Sequence, residues 1–565
     1  MAPTSARIKM RRRLAAIVPA WTCAVCRLLL GLGGILGCGP SSERRDAATP
    51  DASPDGRPDV DAAAADGPSD EVPPMRVNRC RPDAPALGPY PAPDAHPRLG
   101  GPGGPARRFE PHELGTHCAY IDGGEGDVSD HHNLVTMLGG YLVMPWAPEW
   151  GGGGISLYDV RDPCAPRRVG YGYSERTRET HAIGFSRLGG LWAVVDGIDT
   201  SRFPFRGGVQ FWDLSDPTQP TEASHLALPG FAYPDAYARV TLSTFWQVPF
   251  VYAGGADNGI YVIDATDPRR PVHVATYVPE PIMRVGQVQV IGNLLIATTA
   301  EGPRTLLLDV SDPEAPQPMP GGDFLATDAT GRPREAYFST FADGFIYYAL
   351  KDAGGGLLVW DVRDPRAPRF AGLRESGGNG GYVFVKEGFA YQGESSFAVV
   401  YDVRDPARIT EVARYALAGD LDTATPIGNV VVLSVDADAE PDRGTAVVPH
   451  QAEPDRSPPR VSWLWPPDGA VGLPSTSRFG VSFNEHVDFE TVWEGSVRLW
   501  ATDRGPDAGR VRGQLSAQEA IVNFTPDCPL EPNTSYTLEI VAGGVADLSG
   551  NRMVEGFRAT FRTGP

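Results

Sequence analysis

Lysine is nearly absent from this 565-residue chain, standing only at Lys9, Lys351 and Lys386. Arginine is outnumbered by acids, and the formal net charge is −20. A phosphate-binding surface needs clustered, uncancelled basic residues, so nucleic-acid binding is excluded as the main role. Long helix-period segments are also missing, which excludes a helical bundle or array. The nucleophile elbow GxSxG does not occur. "HELGTH" fails as a zinc-protease helix, because His112 and His117 are five apart with Gly115 between them, not four apart on one helical face. The glycine runs at 100–105 and 151–154 lack the lysine and helix start of a phosphate loop. Beyond residue 38, cysteine stands only at Cys80, Cys118, Cys164 and Cys528, too scattered for a metal knuckle.

What the chain has in abundance is glycine (66), proline (55) and, at 41%, apolar residues, a composition of many short strands joined by tight turns. Its length calls for two or three folded units plus tails. The first 38 residues have a basic start at Arg11, Arg12 and Arg13, an apolar stretch and "ILGC", the pattern of an export signal. That ending resembles the lipobox of bacterial lipoproteins, which implies lipidation of Cys38 after cleavage before it. Gly39 in place of Asp after that cysteine implies sorting to the outer membrane. Residues 39–79, rich in Asp, Ala, Pro, Ser and Gly, bury too little apolar surface to offset ordering entropy and are expected to be a disordered tether. In an oxidising compartment a disulfide is expected within Cys80, Cys118 and Cys164, with the pair left open, and Cys528 is expected as a lone core thiol.

One line is written six times: "SLYDVRDPCAP", "QFWDLSDPTQP", "YVIDATDPRRP", "LLLDVSDPEAP", "LVWDVRDPRAP" and "VVYDVRDPARI". The first acids, Asp159, Asp213, Asp264, Asp309, Asp361 and Asp402, are spaced by 54, 51, 45, 52 and 41 residues, and such periods mean propeller blades or helical arrays. Between copies, runs such as "GYVFVKEG", "FAYQGES", "FAVVYDV" and "ITEVARYAL" read as four strands per unit, which selects the propeller. Each motif ends a buried strand. The second acids, Asp162, Asp216, Asp267, Asp312, Asp364 and Asp405, can bond turn N–H groups, and the following Pro removes a donor, so all twelve acids are assigned to turns. These copies resemble the LVIVD repeat of bacterial and archaeal surface proteins, over roughly residues 130–420; the resemblance implies a β-propeller and no particular activity. Strand-like runs after the sixth motif, joined by an N-terminal strand near "HCAYIDGG", would close a seventh blade and remove an exposed edge; six blades is the alternative.

From Pro458 short alternating strands give a sandwich signature. "PPDGA", "VSFNEHVD", "FTPDCPLEPNTSYTLEI" and "DLSGN" resemble the SbsA-type bacterial Ig-like domain, which implies a spacer or adhesive module. The expected layout is a signal peptide at 1–38, a tether at 39–79, an all-β propeller at 80–452, a linker at 453–458 and an Ig-like sandwich at 459–565.

Segments preceding each blade's first strand open onto one mouth of the channel. They bring Asp130, His132, Arg178, His181, Arg239, Arg284, Arg334, Glu335, Asn379, Asp420 and Asp422 to corresponding places, a candidate ligand-binding ring. The acids of 436–442 are a weaker candidate for Ca²⁺, without the glycine and terminal acid of an EF-hand loop. No residue is assigned catalysis and no cofactor is required. The expectation is a lipid-anchored cell-envelope protein binding a protein or glycan, touching membrane only through its lipid. The rival is a hydrolase or lyase working at the channel mouth.

Overall fold

The structure, a computed structural model, describes residues 87–123, 134–148, 151–201, 205–230, 241–352, 354–435 and 444–565. The chain divides into two compact units at Glu71 and Val72, and every described residue belongs to the second. The signal peptide, Cys38, the tether and Cys80 lie outside the described residues.

The unit is built of antiparallel strands. Five four-stranded meanders follow one another, beginning with Thr136–Leu138, Gly184–Ser186, Ser243–Gln247, Val285–Ile291 and Ala336–Ala342. A seven-stranded sheet then starts with Val383–Lys386, Phe389–Gly393 and Ser395–Asp402. Its 18-residue strand Thr410–Ile427 pairs first with Ser395–Asp402 and, beyond Leu421, with Val430–Val435. Thr445–Pro449 follows, and Ala119–Ile121 from the N-terminal side finishes that sheet by pairing with Thr445, Ala446 and Val447. The first strands of successive sheets touch from Gly184–Ser186 round to Thr410–Ile427, which touches Thr136–Leu138. The first and second sheets share a hydrophobic cluster through Leu138, Ile183 and Phe185. The result is a propeller-like ring whose innermost strands line the axis.

The reason these segments form strands is visible in their burial. "LLIATT" (Leu294–Thr299) is buried at every position, because both faces of its sheet are covered by neighbouring sheets and a continuous apolar run satisfies both. Except in the second sheet, where five residues separate Ser186 from Trp192, the turns between first and second strands are two-residue hairpins, and at Asp343 and Gly344 both φ are positive (56° and 79°), as the twist of such a hairpin requires.

The repeated motif makes one turn six times. Asp309 Oδ1 accepts the N–H of Ser311 at 2.7 Å, and Asp312 Oδ1 accepts that of Glu314 at 3.0 Å. The same two bonds recur from Asp159 and Asp162, Asp213 and Asp216, Asp264 and Asp267, Asp361 and Asp364, and Asp402 and Asp405. A carboxylate accepting local N–H groups stops the strand and fixes the exit of the next one.

Cys118 and Cys164 form a disulfide that ties the lead into Ala119–Ile121 to the first motif turn. Cys528, expected as a lone core thiol, is disulfide-bonded as well; it is half-exposed just beyond the end of strand Ile521–Pro526, where another sulfur can reach it.

The C-terminal strands form a sandwich of a four-stranded sheet, Val461–Trp465, Phe479–Phe483, Ile521–Pro526 and Gly513–Gln518, on a three-stranded sheet, Val497–Ala501, Ser535–Ile540 and Phe557–Arg562. The sequence suggested a spacer or adhesive module. The sandwich is docked on the ring by hydrogen bonds in both directions, from its strand and loop residues to the ring and from the ring back to its carbonyls. Asn523 accepts from Gly292 N at 2.7 Å and donates to Val290 O at 2.9 Å. Gln518 bonds Trp246 N and Thr244 O, Asp488 accepts from Gly139 N, Asn484 O accepts from Glu387 N, and Arg187 donates to Phe489 O. All these ring partners lie in or beside first-to-second-strand turns, so the sandwich covers the face of the ring where those turns emerge. The hairpin turn at Glu519 (φ 55°) enters the axis and bonds Gln289 and Thr340 on the first strands of two different sheets.

Candidate functional site

The opposite face carries the segments leading into each first strand, and there the residues singled out in the sequence separate into two groups. Asp130, His132 and Arg239 lie outside the described residues, as do the acids of 436–442. Arg178, His181, Arg334 and Asp422 are buried, Arg284 is half-buried, and Glu335, Asn379 and Asp420 are exposed.

His181 lies on the axis. It precedes the first strand of the second sheet, yet its ring stacks on Phe338 of the fifth sheet at 5.4 Å and on Tyr382, just before Val383–Lys386, at 6.0 Å; Phe338 and Tyr382 stack at 4.2 Å. The axis expected to open as a funnel is therefore crossed by a histidine–aromatic stack, since apolar faces from opposite sheets meet where the ring is narrow. Its ring nitrogens face carboxylates, Nε2 at 3.3 Å from Glu179 and Nδ1 at 3.5 Å from Asp196. Burial alone would lower the imidazole pKa, but Glu179 by charge, with hydrogen bonding from Asp196 and Glu179, raises it to about 9. Such an imidazolium is a poor base at neutral pH. Arg178 closes the group, 3.2 Å from Glu179. Three further buried polar atoms here, Arg178 Nε, Asp196 Oδ1 and the Tyr382 hydroxyl, have no hydrogen-bond partner among the described residues. Asp422 joins the group through its backbone, accepting from Tyr382 N at 2.8 Å.

Arg334 is separate. It is held in a bidentate pair with Asp352 at 2.6 and 2.8 Å, with Glu375 at 3.5 Å, and its side chain is 2% exposed. Lys351 pairs with Glu301 at 2.8 Å and lies over the Tyr337 ring. Arg178, Arg334 and Lys351 are thus each paired with an acid in place, while Glu335, Glu375, Asn379 and Asp420 remain exposed. Sequence reasoning missed Glu179, Asp196 and the aromatic stack. The usable signal was Asp196 inside the apolar run "WAVVDGID", an acid on a strand that should be buried.

Among the described residues one group of three carboxylates, Asp455, Glu485 and Asp547, has metal-ligand spacing. The Lys386 ammonium already stands among them, bonded to Asp455 and 3.9 Å from Glu485, so this is an ion-pair cluster joining sandwich to ring. Burial pushes Glu485 up to about 9, opposed by Lys386 and reinforced by Asp547 and Asp455.

Comparison with known proteins places residues 455–563 in the bacterial Ig-like domain family. No curated protein matches the chain. Among solved structures, the periplasmic gluconolactonase of Pseudomonas aeruginosa is 12% identical, covering 56% of this chain and 87% of its own, with a TM-score of 0.43. Sqt1 of Saccharomyces cerevisiae is 11% identical, covering 75% and 99%, with a TM-score of 0.36. Neither is similar enough for its fold or activity to be carried over. Among the described residues no helix is long and apolar enough to cross a membrane.

Proposed function

We propose that this is an exported, lipid-anchored protein of the bacterial cell envelope that binds a protein or glycan through the ring face opposite the Ig-like module. The observation carrying this reading is the docking itself. With one face covered and the axis entered by the Glu519 hairpin, the face bearing Glu335, Asn379 and Asp420 is the one left to a partner. Its exposed carboxylates suit a partner offering amino or hydroxyl groups. The ring is read as a seven-bladed propeller of LVIVD repeats, with Thr410–Ile427 serving two blades and Ala119–Ile121 closing the last. Lipidation at Cys38 and outer-membrane sorting rest on the lipobox pattern. A catalytic reading is less favoured, because His181 has a carboxylate at each nitrogen and is no free base.

The test is capture from envelope and secreted material by immobilised residues 80–565, beside a Glu335→Arg, Asn379→Arg, Asp420→Arg variant. All three positions are exposed, so the fold tolerates the changes. A partner held by the wild type and lost by the variant supports this function; identical capture, or none, refutes it.

A further inference from the structure

A second site lies away from the axis. Residues 98–104, the Gly139–Gly140 turn of the first sheet and two loops of the Ig-like module, 488–496 and 541–552, enclose a cavity of about 540 Å³. That volume is within the range of small-ligand sites. Its walls are fixed by hydrogen bonds between the three parts: Leu99 N to Glu490 Oε1 at 2.6 Å, Gly101 N to Gly139 O at 2.8 Å, and Gly139 N to Asp488 Oδ1 at 3.2 Å. Glycines make this approach possible. A Cβ on Gly101 would fall 2.3 Å from Gly139 O, and one on Gly140 2.5 Å from Gly103 N.

The bonds from Leu99 and Gly139 each use one carboxyl oxygen and leave the other, Glu490 Oε2 and Asp488 Oδ2, without a hydrogen-bond partner among the described residues, although Glu490 is 7% exposed. Trp493 lines the same cavity, half-buried, its ring lying along Gly495, where a Cβ would meet it at 1.9 Å. Its backbone N–H is bonded to Ser496, while its indole N–H has no partner among the described residues. Val541 and Ala542 extend the apolar wall. Arg98 stands exposed at the rim with its guanidinium unpaired among the described residues, whereas Arg552 is committed to Gly543 O and Gly544 O. Burial pushes Glu490 up to about 7 and raises Asp488, so near neutral pH the acids do not present two full charges.

The cavity therefore offers a flat apolar surface, two free acceptors, an indole donor and one exposed cation, close to charge balance. A sugar presents apolar ring faces edged by hydroxyls that both donate and accept. We propose that this cleft is a saccharide-binding site, with Trp493 as the platform and Glu490, Asp488 and Arg98 as hydroxyl partners. It is distinct from the free face of the ring and does not rest on it.

The test is calorimetric titration of the purified protein with cellotetraose, maltotetraose and chitotetraose, with tetra-alanine as the peptide control. One tetrasaccharide is expected to bind with a Kd of about 10 μM to 1 mM. Trp493→Ala and Arg98→Ala should each weaken it about tenfold or more, while the Glu335→Arg, Asn379→Arg, Asp420→Arg variant binds as the wild type does. Arg98 is exposed, so its variant keeps the fold even if Trp493→Ala does not. Failure of all three tetrasaccharides, binding of tetra-alanine instead, or binding that survives Arg98→Ala overturns the proposal.

Discussion

Replacing Arg478 with alanine should uncouple the Ig-like module from the ring. Arg478 is fully buried at the docked interface. Its Nη1 donates to Gln247 Oε1 at 3.2 Å, Tyr252 hydroxyl at 3.1 Å and Val310 O at 2.8 Å, and its guanidinium lies over Phe250. Hydrogen bonds to a charged donor contribute roughly 1.5–3 kcal/mol each, but Nε and Nη2 are buried without partners among the described residues, which offsets about 1–3 kcal/mol apiece. The net worth of the cation is therefore small, while truncation leaves the Tyr252 hydroxyl and Val310 carbonyl facing a void. Each buried neutral group left unsatisfied costs about 1–3 kcal/mol. Arg478→Met, which fills the space, should cost markedly less, about 1–2 kcal/mol. Urea unfolding followed by both tryptophan fluorescence and near-ultraviolet circular dichroism measures this. Arg478→Ala should lower the midpoint and separate the two probes as the modules unfold apart. A loss below about 1 kcal/mol with coincident probes would refute docking through this residue.

Stability should fall as pH rises. Burial holds Glu519 and Glu490 at about 7 and Glu485 at about 9, above their ordinary range, so their stabilisation is complete below about 4.5 and is lost through those values. His181, also raised to about 9, contributes below about 6.5 and is lost as pH passes 9. The thermal midpoint should be higher at about pH 6 than at about pH 9, and Glu519→Gln should flatten that slope. On the acid side, Arg363 and Arg369 hold the Asp361 carboxyl well below its usual range despite its burial; Asp361→Ala should cost more at neutral pH than at about pH 2, read from denaturant midpoints. Cys118→Ser with Cys164→Ser opens a link across 46 residues and should cost about 2–4 kcal/mol by the same assay.

The ring was legible because its information is local. Each "DP" turn is set by two acids and the N–H groups two residues on, and each buried strand is a continuous apolar run. The bacterial Ig-like domain was legible for the same reason, through "DLSGN", where Asp547 Oδ1 accepts from Ser549 N and Asn551 N. The site was far less so. Aligning loop positions found His181 and Arg178 but could not show that His181 meets Phe338 and Tyr382, far along the chain, across the axis. Nor could it show that Gln518, Asn523 and Arg478, ordinary polar residues of the second module, are spent on the ring's backbone, because docking depends on shape that no local pattern encodes.

The measurement that addresses the account most directly is hydrogen exchange of the protein alone, resolved to peptides on the two faces of the ring. Docking predicts strong protection at the turns around Gly139, Gly292, Asp343 and Glu387, whose N–H groups are bonded to the Ig-like module or lie under it. It predicts fast exchange around Glu335, Asn379 and Asp420 on the free face. Equal exchange on both faces, or protection lost at the turns while the ring stays folded, would contradict a ring with one covered face and one free for a partner.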